Sequence, residues 1–105
     1  MHPLHGKWKI VAHTSFGDLP SVNEIIVEGD TFHGVMHDEK SGKDYDIVKG
    51  KIDGNHFTLE TSMSFVVFSI KVDLEGTLSE DQKHMSGTVT AMSKTGTFEG
   101  EKIED

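Results

Sequence analysis

The chain has 105 residues and a net charge of −8, with ten lysines, no arginine and no cysteine. A negative surface without arginine argues against nucleic acid and anionic membranes as partners, because both ligands present phosphate groups. The absence of cysteine excludes disulfides, thiolate zinc sites and thiol nucleophiles.

The length predicts a single domain over residues 1–105. No apolar run approaches the roughly 18 residues needed to cross a bilayer. The first residues lack the basic start and long apolar stretch of a secretory signal. We therefore expect a cytoplasmic protein.

Apolar and polar residues alternate with a period of two, first over residues 8–12 and most clearly over residues 68–75. Seven turn signals separate the alternating runs, at residues 15–20, 28–31, 38–43, 53–55, 62–64, 79–83 and 94–96. Such short connections require antiparallel neighbours. Closing the sheet removes its two exposed edges. The sequence therefore predicts an all-β fold, an eight-stranded antiparallel up-and-down barrel.

An up-and-down barrel places the odd-numbered turns at the end opposite Trp8, here called the far end. Those turns carry or adjoin large apolar residues, although hairpin turns favour small and polar ones. The residues are Phe16, Leu19, Tyr45, Met63 and Met92. Three interpretations remain open: a lid over the barrel mouth, a portal for a ligand, and a self-association surface.

The strand phases also predict which side chains point into the barrel. These are Trp8, Ile10, Ala12, Ile25, Val27, Phe32, Met36, Val48, Ile52, Phe57, Leu59, Phe68, Ile70, Val72, Leu74, Val89, Ala91 and Phe98. Glycines 34, 50, 87 and 100 share that face, where glycine either relieves crowding or leaves space. The barrel is thus either filled by side chains or hollow enough for one small ligand. Asn23 also turns inward, to bind a ligand or a backbone group near the rim.

Seven histidines raise the question of a metal site. His5, His33, His56 and His84 lie at the Trp8 end, but their neighbours point inward, so the imidazoles face outward. Strands two apart are also separated by about 10 Å, too far for shared metal ligands. The acidic residues fall in turns and on outer faces, where weak calcium binding is the alternative to solvation. We predict that the protein binds no metal and no other cofactor. We also predict that it is not an enzyme, because no acid–base pair or nucleophile stands out.

Gly6-Lys7-Trp8 resembles the Gly-x-Trp motif of the calycins, which include lipocalins, fatty-acid-binding proteins and avidins. In calycins the tryptophan plugs the barrel and a basic residue of the last strand packs across it. The resemblance implies Lys102 in that role. The order of motifs, from Gly-x-Trp through Met-Ser-Gly-Thr-Val to Phe-x-Gly-x-Lys, is similar to a family of small bacterial barrels. Those barrels occur alone or appended to flavin-dependent reductases, and the resemblance implies the fold without an activity.

The leading hypothesis is a non-enzymatic binding barrel for a small, largely apolar molecule that enters opposite Trp8. The predicted ligand-binding residues, in the lumen and at the open rim, are Trp8, Phe16, Leu19, Asn23, Met36, Met63 and Phe68. The alternative is an interaction or assembly module associated with an oxidoreductase. The apolar rim would then be the interface, either with that enzyme or within a homo-oligomer.

Overall fold

A computed structural model describes residues 2–15, 17–64 and 68–105. Each strand pairs with the next, and the last pairs with the first, in one closed antiparallel barrel. The strands are β1 Gly6–Thr14, β2 Gly17–Glu28, β3 Thr31–Asp38, β4 Asp44–Asp53, β5 His56–Ser64, β6 Ser69–Leu78, β7 His84–Ala91 and β8 Lys94–Glu104. The predicted all-β, eight-stranded, up-and-down barrel is confirmed. Among the described residues, no helix is long and apolar enough to span a membrane.

Alternation of side chains across the barrel wall explains most of the core. In β6, every second residue from Ile70 to Leu78 is buried and every intervening one is exposed. The inward prediction for Val48 is wrong, since its side chain is 57% exposed. The pairing of β4 with β5 shifts between Ile47 and Lys51. The irregularity puts Val48 and Lys49 outward in succession and leaves Ile47 and Gly50 buried.

Phe68 and two of the turns also differ from the prediction. Phe68 precedes β6, is 51% exposed, and so does not point inward. Residues 62–64 form the end of β5 rather than a turn, with Met63 buried between two exposed serines. The seventh turn is Met92–Ser93, two residues earlier than the predicted start at residue 94, and the two residues have positive φ angles of 53° and 64°. Ser62, Ser64 and Thr95 therefore lie on the outer faces of strands rather than in turns.

The Trp8 end of the barrel is filled. Trp8 is fully buried, and its indole Nε1 donates a hydrogen bond of 2.9 Å to the carbonyl of the equally buried Leu4. The Lys102 ammonium lies 5.5 Å from the Trp8 ring centroid and donates a 2.7 Å hydrogen bond to the Pro3 carbonyl. The predicted packing of Lys102 across Trp8 is thus observed. Burial of Leu4 was not predicted.

Aromatic rings occupy the space beside this plug. The ring of Phe57 lies 6.4 Å from that of Phe32 and 6.3 Å from that of Phe98, centroid to centroid. Gly76 makes room for two of them, because a Cβ there would sit 2.6 Å from Phe98 Cζ and 2.8 Å from Phe57 Cζ. Gly50 stands in the same relation to Phe32. Glycine in this part of the wall therefore relieves crowding.

Candidate ligand-binding cavity

The far end of the barrel is hollow. A cavity of about 400 Å³ extends inward from the turns opposite Trp8. Its apolar wall is built by β1 to β7 and includes Ile10, Leu19, Met36, Met63, Ile70 and Val89. Ala12 and Ala91 also line it, and their small side chains leave space that the phenylalanines fill elsewhere. The volume is within the range of known small-molecule sites, roughly 300–1,000 Å³.

The floor of the cavity can be located along individual strands. On β2, Ser21 and Asn23 line the cavity, whereas the next inward residue, Ile25, is 1% exposed and does not. On β1 the change comes between Ile10, which lines the cavity, and Trp8, which does not. Asn23 pairs directly with Trp8 across the two strands. Asn23 therefore lies at the deepest level of the cavity.

Asn23 is the innermost polar group of this lining. Its side-chain Nδ2 donates a 2.9 Å hydrogen bond to Ser21 Oγ, and the Ser21 hydroxyl points to the Ile10 carbonyl at 3.4 Å. The hydroxyl thus donates to the Ile10 carbonyl and accepts from Asn23 Nδ2, so the amide nitrogen faces Ser21. No described residue donates to Asn23 Oδ1. In the described chain every fully buried side-chain nitrogen or oxygen has a partner, so Oδ1 remains reachable from the cavity.

Asp38 builds the β3–β4 turn at the mouth. Its carboxylate accepts hydrogen bonds from the Lys40 backbone N–H at 3.1 Å and from the Ser41 hydroxyl at 2.8 Å. Its backbone carbonyl accepts from the Gly42 N–H at 2.8 Å. Asp38 is the only carboxylate among the described residues that line the cavity. The described lining therefore provides no pair of carboxylates for acid–base chemistry. Both oxygens of the Asp38 carboxylate accept hydrogen bonds within the turn.

Two lysines extend from the same turn over the mouth. Lys40 and Lys43 line the cavity, and neither forms an ion pair with a described residue. The Lys40 ammonium reaches towards Gly17, at the start of β2. On the outer wall, by contrast, Lys7, Lys49 and Lys71 each pair with a glutamate. The mouth thus combines an apolar interior with a cationic rim on one side.

Five histidines lie on the outer surface and pair with carboxylates there, at positions 13, 33, 37, 56 and 84. His2 and His5 contact backbone groups instead. His13 Nδ1 is 2.8 Å from Asp18 and its Nε2 is 3.2 Å from Glu99, so the imidazole links β1 to both neighbouring strands. The hydrogen bonds to Asp18 and then Glu99 raise the pKa of His13 above its ordinary 6.5. Within the described ranges, no group of three or more histidines and carboxylates is arranged to hold a metal ion.

No family model and no curated protein matches the chain. Several solved structures do. One is a redesigned β-barrel, b11L5F_LGL, with a TM-score of 0.73 and 11% identity, over 98% of this chain and 93% of the other. Another is the redesigned barrel mFAP1 bound to DFHBI, with a TM-score of 0.69 and 13% identity, over 96% and 95%. A third, mFAP0 bound to DFHBI, has a TM-score of 0.65 and 13% identity, over 97% and 100%. What they share with this chain is the fold.

The predicted ligand-binding residues divide into three groups. Leu19, Asn23, Met36 and Met63 all line the cavity. Trp8 lies outside it in the plug, and the exposed Phe68 is not part of the lining. Phe16 lies outside the described residues.

Sequence reasoning missed two buried polar residues of the lining, Ser21 and Asp38. Each lies two positions along the strand from a residue that the strand phase had turned inward: Ser21 from Asn23, and Asp38 from Met36. The same alternation would have found both residues. Asp38 had been assigned to the third turn, residues 38–43, and Ser21 directly follows the first turn, residues 15–20.

Proposed function

We propose that this protein is a non-enzymatic binding barrel for a small, largely apolar molecule, which enters through the far end. The observation that carries the proposal is the cavity of about 400 Å³, apolar in most of its wall and open opposite Trp8. Ligand sites of this type bury most of the ligand against hydrophobic side chains and orient it with a few polar groups. Leu19, Met36 and Met63 supply the first kind of contact and Asn23 the second.

The structural neighbours add support of a general kind. mFAP1 and mFAP0 were each solved bound to DFHBI, a small fluorophore. Their barrels match this one over nearly the whole chain at 13% identity. An eight-stranded barrel that is hollow at one end has room for one small ligand. A calycin-like role, in which a plugged barrel carries its ligand at the other end, fits the same arrangement.

Binding is tested by calorimetric titration with neutral naphthalene derivatives, whose size suits the cavity. We expect saturable binding by the wild-type protein. Ala91→Phe places a ring in the cavity from β7 and should weaken binding at least about tenfold. Thr88→Phe adds the same ring to an exposed position of β7 and serves as the matched control. Absence of binding to the wild type, or equal binding by both variants, would contradict the proposal.

A second candidate function is an interaction module, with an oxidoreductase or a second copy of the chain as the partner. Two side chains at the far end favour it: Phe68 is 51% exposed and Met92 is 58% exposed. Large exposed apolar residues at a rim are typical of association surfaces. Sedimentation of the wild type and of a Phe68→Ser, Met92→Ser double variant tests whether the partner is a second copy of the chain. A change from oligomer to monomer would favour association, and a monomeric wild type would exclude self-association.

A further inference from the structure

The amide oxygen of Asn23 is a hydrogen-bond acceptor without a donor, placed at the floor of an apolar cavity. Asn23 is only 3% exposed. Its nitrogen is held by Ser21 Oγ at 2.9 Å, while no described residue donates to its oxygen. Buried polar side-chain atoms in proteins nearly always have a partner. An acceptor left available at the deepest point of a cavity is therefore suited to a partner that arrives from outside.

The surroundings of Asn23 make it a fixed acceptor rather than a mobile one. The chain of hydrogen bonds from Asn23 to Ser21 and on to the Ile10 carbonyl holds the amide in one orientation. Trp8 on one side and Met36 on the other are its neighbours across the strands. Ile25, the next inward-facing residue of β2, is fully buried. The amide is thus oriented by contacts within the protein, so a ligand need not reorganise it.

We infer that Asn23 Oδ1 determines specificity by accepting a hydrogen bond from the buried end of the ligand. The inference rests on the proposed binding function and narrows its ligand class. The ligand is a compact, mainly apolar molecule that carries a neutral O–H or N–H donor, such as a phenol, an indole or a secondary amide. A wholly apolar molecule would strip water from the oxygen and return no donor, so it binds less well.

Two probes of nearly equal shape test this. 2-Naphthol carries a hydroxyl donor where 2-methylnaphthalene carries a methyl group. The quantity to measure is the ratio of the two dissociation constants, in the wild type and in Asn23→Leu, which is similar in size but offers no acceptor. We expect the preference for 2-naphthol to fall at least about tenfold in the variant, the effect of one buried hydrogen bond.

A second measurement needs no variant at position 23. The chain has only two asparagines, Asn23 and Asn55, so selective ¹³C labelling of the asparagine side-chain carbonyl gives two NMR signals. Asn55 lies in the β4–β5 turn at the Trp8 end and is an internal control. We expect 2-naphthol to shift the Asn23 carbonyl signal downfield and 2-methylnaphthalene to leave it nearly unchanged. The Asn55 signal should not move with either probe.

The outcomes separate this inference from the proposed function. If neither probe binds the wild type, the binding function itself fails for this class of ligand. If both bind but Asn23→Leu keeps the preference, or the Asn23 signal does not respond to 2-naphthol, the role of Asn23 is overturned while the binding barrel stands. If Asn23→Leu does not fold, the NMR experiment on the wild type decides alone.

Discussion

The two ends of the barrel are built from the same eight strands but differ in what occupies the interior. At the Trp8 end, the indole, Leu4 and three phenylalanine rings fill the space, and Gly76 adjoins two of the rings. At the far end the inward positions of β1 and β7 hold Ala12 and Ala91, and a cavity remains. Strand number sets the diameter of such a barrel. Whether a given level is solid or hollow depends on the size of the few residues that face inward there.

The largest expected difference between the ends comes from removing the plug. Trp8→Ala should lower the free energy of unfolding by about 3–5 kcal/mol, because it leaves a void in a well-packed region. Met63→Ala removes a side chain that already borders the cavity and should cost clearly less. Urea denaturation of both variants measures this. A Trp8→Ala protein whose free energy of unfolding lies within about 1 kcal/mol of the parent's would contradict the packing described for that end.

Adding atoms should show the same contrast, because the Trp8 end has no space to accept them. Gly76→Ala introduces a Cβ that lies within 3 Å of two aromatic rings, and overpacking of this kind costs about 1–3 kcal/mol. Ala91→Val adds two methyl groups beside the cavity and should change stability by less than about 1 kcal/mol. Equal losses in the two variants would mean that the far end is as tightly packed as the Trp8 end.

The ammonium of Lys102 contributes to the plug at the Trp8 end. Lys102→Met keeps most of the aliphatic side chain but removes the ammonium above Trp8 and its bond to the Pro3 carbonyl. We expect a loss of about 0.5–2 kcal/mol in the free energy of unfolding, the usual range for such a contact. Lys94→Met, at the exposed beginning of the same strand, is the control and should have little effect. A similar loss in both variants would exclude a specific role for the ammonium.

The smallest expected effects concern how the stability of the fold depends on pH. The two ends of the barrel should respond in different pH ranges. At the far end, carboxylates raise the pKa of His13. A raised pKa in the folded state stabilises the protein fully below about pH 6.5, and the contribution disappears as pH rises through the folded pKa. His13→Gln should therefore be less stable than the wild type at about pH 6, and the gap should narrow towards pH 8. A gap that does not change with pH would contradict this.

At the Trp8 end, the Ser79 hydroxyl and then the Lys83 backbone N–H lower the pKa of Asp81 to about 2. A lowered pKa stabilises the folded state above the ordinary value of 3.8, and the contribution disappears as pH falls towards 2. Asp81→Asn should thus reduce the dependence of stability on pH between 3.8 and 2. Unfolding curves measured across both ranges test the two ends independently.

The fold could be predicted from alternation, since each strand buries one face and β6 follows the pattern without exception. Prediction failed where backbone irregularity changes the phase, as at Val48. It also failed where serines on an outer face resembled a turn, as around Met63. Whether the interior is filled or hollow could not be decided. Gly76 lies where aromatic rings crowd the interior. The sequence shows how large each inward side chain is, but it does not show at which height along the barrel axis these side chains meet. The availability of Asn23 Oδ1 depends on the Ser21 hydroxyl, a contact that only the three-dimensional arrangement shows.

Closure of the sheet between β1 and β8 has a consequence for how the protein folds. This pairing joins Ile10 to Gly100 and Ala12 to Phe98, positions almost a full chain length apart. Contacts so distant in sequence carry a high loop-closure entropy and form late in folding. Ile10 and Ala12 line the cavity, and Lys102 covers Trp8. We therefore expect that docking of β8 completes the plug and the cavity in a single kinetic step. Tryptophan fluorescence and ligand binding should then appear at the same rate during refolding.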